Sequence, residues 1–328
     1  AEWRDLMLWL EMHGISGHYA ARLYARYGAA SLEMLENEPY KLADEVDGIG
    51  FRTADRLALT LGVDRHDDAR LAAGIRYALG QAALSGHTCI PEAALVTESA
   101  KLLGANRTEV ARCLVALDAQ GQLTSEDYRG EKLIYPEWLY RAEVQAAKRF
   151  KEIKQQARPL PKRNVAAWLE DWSARENVTW ADEQRAAVMA SWEHGLLVLT
   201  GGPGTGKTTV IRAILDLLES SRCRVVLAAP TGRAAKRLAE SAGRTAQTVH
   251  RLLEYQPGGG FGAFAKHEGD PLDADAVIVD EASMLDIQLT YHLLRAVAPG
   301  TRLILVGDVD QLPAVGPGNV LQDLIRCG

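Results

Sequence analysis

The chain has 328 residues, 47% of them hydrophobic, and a formal net charge of −6 at pH 7. Its length allows two or three domains, and the absence of any apolar run near ~20 residues excludes a membrane-spanning helix. The acidic balance does not mark a nucleic-acid binder; local patches decide such binding.

The start already carries Glu2, Arg4 and Asp5, and no signal peptide is visible. The first residue is Ala1 rather than Met, which leaves the true N-terminus open. Residues 1–68 are predicted all-helical. Leu6, Leu8, Trp9 and Leu10 lead into Gly14-Ile15-Ser16-Gly17, then Tyr19, Leu23 and Tyr24. A second version runs through Leu42 and Val46 into Gly48-Ile49-Gly50, then Ala54 and Leu57. Each is a helix, a glycine turn holding an apolar residue, and a second helix. This is the pattern of tandem helix-hairpin-helix motifs. Glycines at such turns expose N–H groups that can hold a DNA phosphate without reading sequence. A packing or protein-binding role is the alternative, because no Lys or Arg cluster sits in either turn.

Residues 69–140 continue the helical pattern, then give two alternating runs around a polar turn between Gln122 and Tyr135. Helices followed by a β-hairpin suggest a small winged-helix-like α+β region, either a spacer or a DNA contact. Residues 141–164 are basic, with Pro159 and Pro161 near the end. They are read as a long exposed helix and a linker.

From residue 165 to 328 the pattern changes to α/β. Apolar runs at Leu196–Thr200, Val225–Ala229, Ala276–Asp280 and Leu303–Gly307 alternate with helical segments. That argues a parallel sheet, with polar clusters meeting at its carboxyl edge. Residues 255–275 have no helical period and are read as an inserted loop or small hairpin, either a surface loop or a wedge against nucleic acid. The cysteines Cys89, Cys113, Cys223 and Cys327 lack metal-ligand spacing. They read as reduced thiols of a cytoplasmic protein.

Gly201-Gly202-Pro203-Gly204-Thr205-Gly206-Lys207-Thr208-Thr209 fits G-x-x-x-x-G-K-[ST]. A polyphosphate needs many N–H donors close together, and glycine lets the backbone curl around it. Lys207 would reach the β- and γ-phosphates, and the Thr208 hydroxyl would ligate Mg²⁺. The apolar strand 277–279 delivers Asp280 and Glu281. Asp280 suits a Mg²⁺ held beside Thr208, and Glu281 suits the base that deprotonates a water. Gln311, after the strand ending at Gly307, suits a γ-phosphate contact. Gln184 suits adenine, since an amide both donates and accepts. Pro230, Thr231 and Arg233, with Lys236 and Arg237, suit a nucleic-acid backbone, as do Thr248 and His250.

In this order, these clusters resemble RecD-like (exonuclease V alpha-subunit-like) superfamily 1 DNA helicases. Gln184 matches the adenine motif, Gly201–Thr209 motif I, Pro230–Leu238 motif Ia and Thr248–Leu253 the next DNA motif. Asp280–Ser283 matches motif II and Gly307–Ala314 motif III. The paired hairpins look like the N-terminal extension of the longer members. The resemblance implies a RecA-like P-loop NTPase domain, ATP with Mg²⁺, and 5′→3′ translocation on single-stranded DNA with duplex unwinding. It also implies a monomer working at duplex junctions in repair or recombination, with single-stranded-DNA-binding or repair proteins as partners. The family's second RecA-like domain and its arginine finger have no match here. Such an arginine contributes ~10³–10⁵ in rate, so the expectation is a fragment that binds ATP weakly and does not unwind. Two other readings stay open. One is a P-loop ATPase of another class, which would not need the hairpin pair. The other is a DNA-binding module with an inactive ATPase, against which intact Lys207, Thr208, Asp280 and Glu281 speak.

Overall fold

A computed structural model describes residues 2–46, 48–256 and 264–327. The glycine-rich part of the predicted insertion, 257–263, lies outside the described residues. The chain divides into two compact units, Ala1–Ala83 with Thr88–Glu137, and Leu84–His87 with Trp138–Gly328.

The first unit starts with short helices: α1 (Glu2–Met12), α2 (Ala20–Tyr27), α3 (Ser31–Asn37), α4 (Lys41–Glu45) and α5 (Phe51–Thr60). Gly14 and Gly48 take φ of +73° and +93°, a conformation that is cheap only without a Cβ. The apolar residue inside each turn, Ile15 or Ile49, is buried. The turns are therefore pinned to the core by that side chain. α6 (Asp68–Leu84), β1 (Ile90–Pro91), α7 (Glu92–Leu103) and α8 (Arg107–Ala119) follow. α8 opens on a reciprocal cap between Asn106 and Glu109.

β2 (Leu123–Tyr128) and β3 (Glu131–Pro136) form the predicted hairpin. Arg129 and Gly130 at its tip have φ of +54° and +83°, as a tight two-residue turn between twisted strands requires. β1 adds a third antiparallel strand beside β3. Its two residues are too few to alternate visibly in sequence.

A buried ion pair braces this unit. Arg70, 5% exposed, donates to Asp55 through Nε at 2.8 Å and Nη2 at 3.0 Å. Its Nη1 donates to the carbonyls of Leu103 and Arg65, each at 3.0 Å. One side chain thus ties α5 and α6 to the end of α7.

The second unit opens with α9 (Glu137–Gln156). The exposed basic helix expected here is a packed one. Leu139, Ala142, Ala146, Phe150 and Ile153 recur at helical spacing and are buried. Arg149 donates to the carbonyl of Val297 at 2.7 Å and pairs with Glu152. The charges occupy the other face and masked the apolar stripe. α10 (Val165–Glu176) and α11 (Asp182–Glu193) precede the sheet.

The sheet strands are β4 (Leu196–Thr200), β5 (Val225–Ala229), β6 (Ala246–Thr248), β7 (Ala276–Val279) and β8 (Arg302–Gly307). Their order is β4-β8-β7-β5-β6, all parallel. β6 is not among the apolar runs expected to form strands; its three residues pair with the end of β5. Helices α12 (Lys207–Glu219), α13 (Gly232–Ala242), α14 (Val249–Leu252), α15 (Ile287–Ala296) and α16 (Val320–Cys327) complete the unit. β7 and β8 are buried along their whole length, as a parallel sheet covered on both faces demands. α12 buries Val210, Ile211, Ile214, Leu217 and Leu218 in the same core as Ile278 and Ile304. Trp172 is fully buried there, with its Nε1 donating to Asp216 at 2.8 Å.

Replacing Arg70 by Ala leaves the half-buried Asp55 carboxylate without its cation, with the Tyr40 hydroxyl as a remaining partner. The expected cost is about 3–5 kcal/mol of unfolding free energy, read by urea denaturation followed by circular dichroism. A loss below about 1 kcal/mol contradicts the bracing role.

Candidate nucleotide and nucleic-acid site

The register of the parallel strands sets the geometry. Thr200, the last residue of β4, pairs with Gly307, the last of β8, and Val279 pairs with Leu305. The segments that leave β4, β8 and β7 therefore emerge side by side at the carboxyl edge. Gly201–Gly206, Asp280–Glu281 and Asp308–Gln311 are those segments.

The loop from Gly201 to Gly206 curls through left-handed glycines, Gly204 at φ +76° and Gly206 at φ +80°. A Cβ on Gly201 would lie 2.6 Å from Thr205 Oγ1, so the curl is too tight for a side chain at that position. Thr205 Oγ1 donates to the Gly202 carbonyl at 2.9 Å. Lys207 begins α12 and folds its ammonium back inside the loop. Nζ donates to the carbonyls of Gly201 and, at 2.9 Å, Gly202. Thr208 and Thr209 follow on the first turn of α12, at the positive end of the helix dipole.

Gln184 sits against this loop. Its Nε2 donates to the Thr205 carbonyl at 2.8 Å, and its Oε1 accepts from the Ala181 N–H at 3.1 Å. A Cβ on Gly206 would collide with Nε2. The amide expected to read adenine therefore already holds the phosphate loop, with one N–H and one lone pair remaining.

Asp280 extends the β7 ladder, its N–H donating to the Ala228 carbonyl at 2.9 Å. Its Oδ1 accepts from the Glu281 N–H at 2.9 Å. Burial pushes the Asp280 carboxyl above the usual carboxylate range, against the pull of that N–H and of the Lys207 ammonium. Burial and then the Asp280 charge push Glu281 up as well, while Lys207 and Arg237 oppose them. Lys207, the acid pair and Arg237 thus share one electrostatic neighbourhood. Glu281 has φ +54°, a conformation rare for a residue with a Cβ and one that clusters at working sites.

Asp308 is buried, 2% exposed. It accepts from the Asp310 N–H at 3.0 Å and from Gln311 Nε2 at 3.3 Å. Gln311, expected to reach a γ-phosphate, is turned back onto Asp308.

At the other end of the sheet, Ala229 of β5 pairs with Thr248 of β6. Thr231 and Thr248 both cap helices. The Thr231 hydroxyl accepts from the Ala234 N–H and the Thr248 hydroxyl from the Arg251 N–H, each at 3.2 Å. Pro230 leads into the first of these caps. Arg233 is exposed beside it. His250 is exposed and lies edge-on to Tyr255, with ring centroids 5.7 Å apart.

The comparisons agree with this layout. Residues 1–89 match the family described as the ATP-dependent RecD2 DNA helicase HHH domain, and residues 184–317 an AAA domain. The ATP-dependent RecD2 DNA helicase of Deinococcus radiodurans is 38% identical over 333 aligned residues, covering 96% of this chain. The chain is thus similar to RecD-like proteins over nearly its whole length. The RecBCD enzyme subunit RecD of Mycolicibacterium smegmatis is 43% identical over 168 residues, 44% of this chain. The chain spans 44% and 30% of those two relatives' lengths. Among solved structures, Pif1 helicase from Candida albicans superposes with a TM-score of 0.32 at 26% identity, over 42% of this chain and 34% of that one.

Two members of this site escaped the sequence reading in their present roles. Arg237 was grouped with cations for nucleic acid, yet its charge acts on Glu281. Its position one helical turn after Arg233 was the available signal. Asp286 was not singled out. It caps α15 by accepting from the Leu289 N–H at 2.7 Å, abuts Gly316, and its carboxyl feels the charge of His250. A lone Asp after a short turn carries no sequence signal of that kind.

A carboxyl raised in the folded state contributes stability at low pH, and that stability is lost as pH rises through its folded value. At neutral pH the ionised Asp280 is therefore a cost of the fold. Asp280→Asn is expected to raise the melting temperature near pH 7 by roughly 2–4 °C. The advantage should vanish below pH of about 4, where Asp280 is protonated in both states. Thermal melts across pH read this, and a variant that melts lower at pH 7 contradicts it.

Proposed function

We propose that this chain contains the nucleotide-hydrolysing motor domain of an ATP-dependent DNA helicase, with its N-terminal helical region. The observation that carries it is the convergence of Lys207, Asp280, Glu281 and Asp308 at one sheet edge beside a glycine loop whose Gly201 and Gly206 leave no room for a Cβ. ATP would lie along Gly202–Thr209, with Gln184 bordering the base. Lys207 would exchange its carbonyl partners for the β- and γ-phosphates. Glu281 would orient the attacking water and take its proton. A carboxyl raised by burial is the better base for that task. Gln311 would leave Asp308 for the γ-phosphate.

Mg²⁺ fits the donor set. Asp280 is a half-buried carboxylate on the strand next to the loop, and Thr208 supplies a hydroxyl at the helix start. Among the described residues no group of three or more His, Cys, Asp or Glu is arranged to hold a metal ion on its own. A cation that keeps waters and binds substrate phosphates does not need one. When bound, it would neutralise charge between the phosphates.

Pro230, Thr231, Arg233, Thr248 and His250 are proposed to face single-stranded DNA at the β5–β6 end. With both hydroxyls engaged as caps, the free contacts there are backbone groups, the Arg233 guanidinium and the His250 ring. Movement is proposed to run 5′→3′, with unwinding at duplex junctions during repair or recombination. A monomer, a cytoplasmic location and help from single-stranded-DNA-binding or repair proteins complete the proposal. Among the described residues no helix is long and apolar enough to cross a membrane.

In the intact protein, Lys207→Ala should lose ATP binding. Glu281→Gln should keep binding and lose about 10²–10⁴ in turnover. Equilibrium nucleotide binding beside steady-state ATPase separates the two, and brisk hydrolysis by Glu281→Gln refutes the assigned base. Strand displacement on 5′-tailed and 3′-tailed duplexes tests polarity. The expected outcome is ATP-dependent displacement of the 5′-tailed substrate alone, and preference for the 3′ tail overturns the direction.

A further inference from the structure

We propose that a cleft in the first unit, between α5 and α7, binds the phosphodiester backbone of DNA through Arg52, Arg56 and Lys101. The proposal rests on the reading of the chain as a DNA motor and adds a second contact to it, on the unit that does not carry the parallel sheet. The cleft encloses about 770 Å³, with Phe51, Leu59 and Leu102 among its apolar lining.

Charge is the first argument. Arg52 and Arg56 stand four residues apart on one face of α5, and Lys101 rises from α7 across the cleft. All three are exposed. Among the described residues none of the three side chains has a carboxylate partner. Two carboxylates line the same cleft, Asp55 and Glu98. Asp55 is already satisfied by the Arg70 guanidinium and by the Tyr40 hydroxyl at 2.8 Å. Three free cations therefore face one free acid, in a chain whose net charge is −6. Such a local excess is the footprint of a polyanion site.

Rigidity is the second argument. Arg70 fastens Asp55 of α5 to the Leu103 carbonyl at the end of α7. Gly74 of α6 lacks the Cβ that would lie 2.6 Å from Leu103, so the end of α7 packs directly on α6. The cleft walls are thus set before any ligand arrives, and binding orders little beyond three side-chain ends. The glycine turn before α5 is the less suitable place for a phosphate. Asp44, Glu45 and Asp47 precede it in the sequence. Cations without base-reading partners predict binding that ignores sequence.

The test measures anisotropy of a labelled single-stranded oligonucleotide, and of the matching duplex, across a salt series without nucleotide. The intact chain is compared with R52Q/R56Q/K101Q, with the charge-conserving R52K/R56K/K101R, and with Glu98→Gln. In at least one arm the triple Gln variant should bind about 10-fold more weakly at low salt and flatten the log–log salt slope by about 2. The conservative variant should restore both, and Glu98→Gln should tighten binding. The arm that responds identifies the form of DNA. Unchanged affinity and slope in both arms overturn the proposal. So does a triple variant that keeps DNA binding and instead loses affinity for polyglutamate, which would make the cleft a site for acidic polypeptide. ATPase at saturating single-stranded DNA keeps the two readings apart. Stimulated hydrolysis with unaltered DNA affinity in the triple variant sinks the cleft alone. Unstimulated wild-type hydrolysis with weakened binding in the variant sinks the motor alone.

Discussion

Two half-buried carboxylates share the field of one ammonium group, and the α/β unit is arranged around that tension. Asp280 and Glu281 both sit where burial opposes their charge. The offsets are small and local: one backbone N–H, the Lys207 ammonium and the Arg237 guanidinium. Lys207 itself is held by two loop carbonyls, weaker partners for a cation than a phosphate oxygen. Every charged member of the group is thus less well satisfied than a polyphosphate with a bound cation would leave it. An arrangement of this kind trades stability for preorganisation. It is tolerable because β7 and β8 beneath it are apolar and buried throughout.

Much of this was legible before any coordinates. The glycine spacing from 201 to 206 permits few conformations other than a phosphate-sized curl, and four of the five strands were apolar runs bounded by polar residues. Helix α9 was misjudged because its charges outnumber its apolar stripe, although the stripe has a clean helical period. β6 was missed because three half-buried residues give no alternation. The partners of Gln184 and Gln311 were invisible for a different reason. A side-chain amide bonds to whatever backbone lies nearest, and that depends on loop paths fixed by register between distant strands. The same holds for Asp286 and Gly316, brought into contact by chain segments with no local pattern in common.

The two ends of the sheet illustrate how one residue type serves different ends. At β4, glycine and lysine present donors inward. At β5 and β6, Thr231 and Thr248 give their oxygens to helix caps. A threonine at such a position is needed by the helix whether or not DNA is present. Its occurrence there is weaker evidence for a nucleic-acid contact than the exposed cation one turn away. Roles inferred from residue type alone are safest where the fold has no competing use for the group.

Net charge misled for the same reason. Many of the acids are neutralised inside the structure: Asp55 by Arg70, Glu219 by Arg244, Glu268 by Arg295. Each such pair removes a cation and an anion together and leaves the total unchanged. What a polyanion meets is the remainder, and the remainder is unevenly placed. In the α/β unit three acids, Asp280, Glu281 and Asp308, stand at the carboxyl edge, where a cation-bearing nucleotide would sit. In the first unit three exposed cations, Arg52, Arg56 and Lys101, line one cleft between two helices. A total of −6 averages these opposite patches, so it predicts neither.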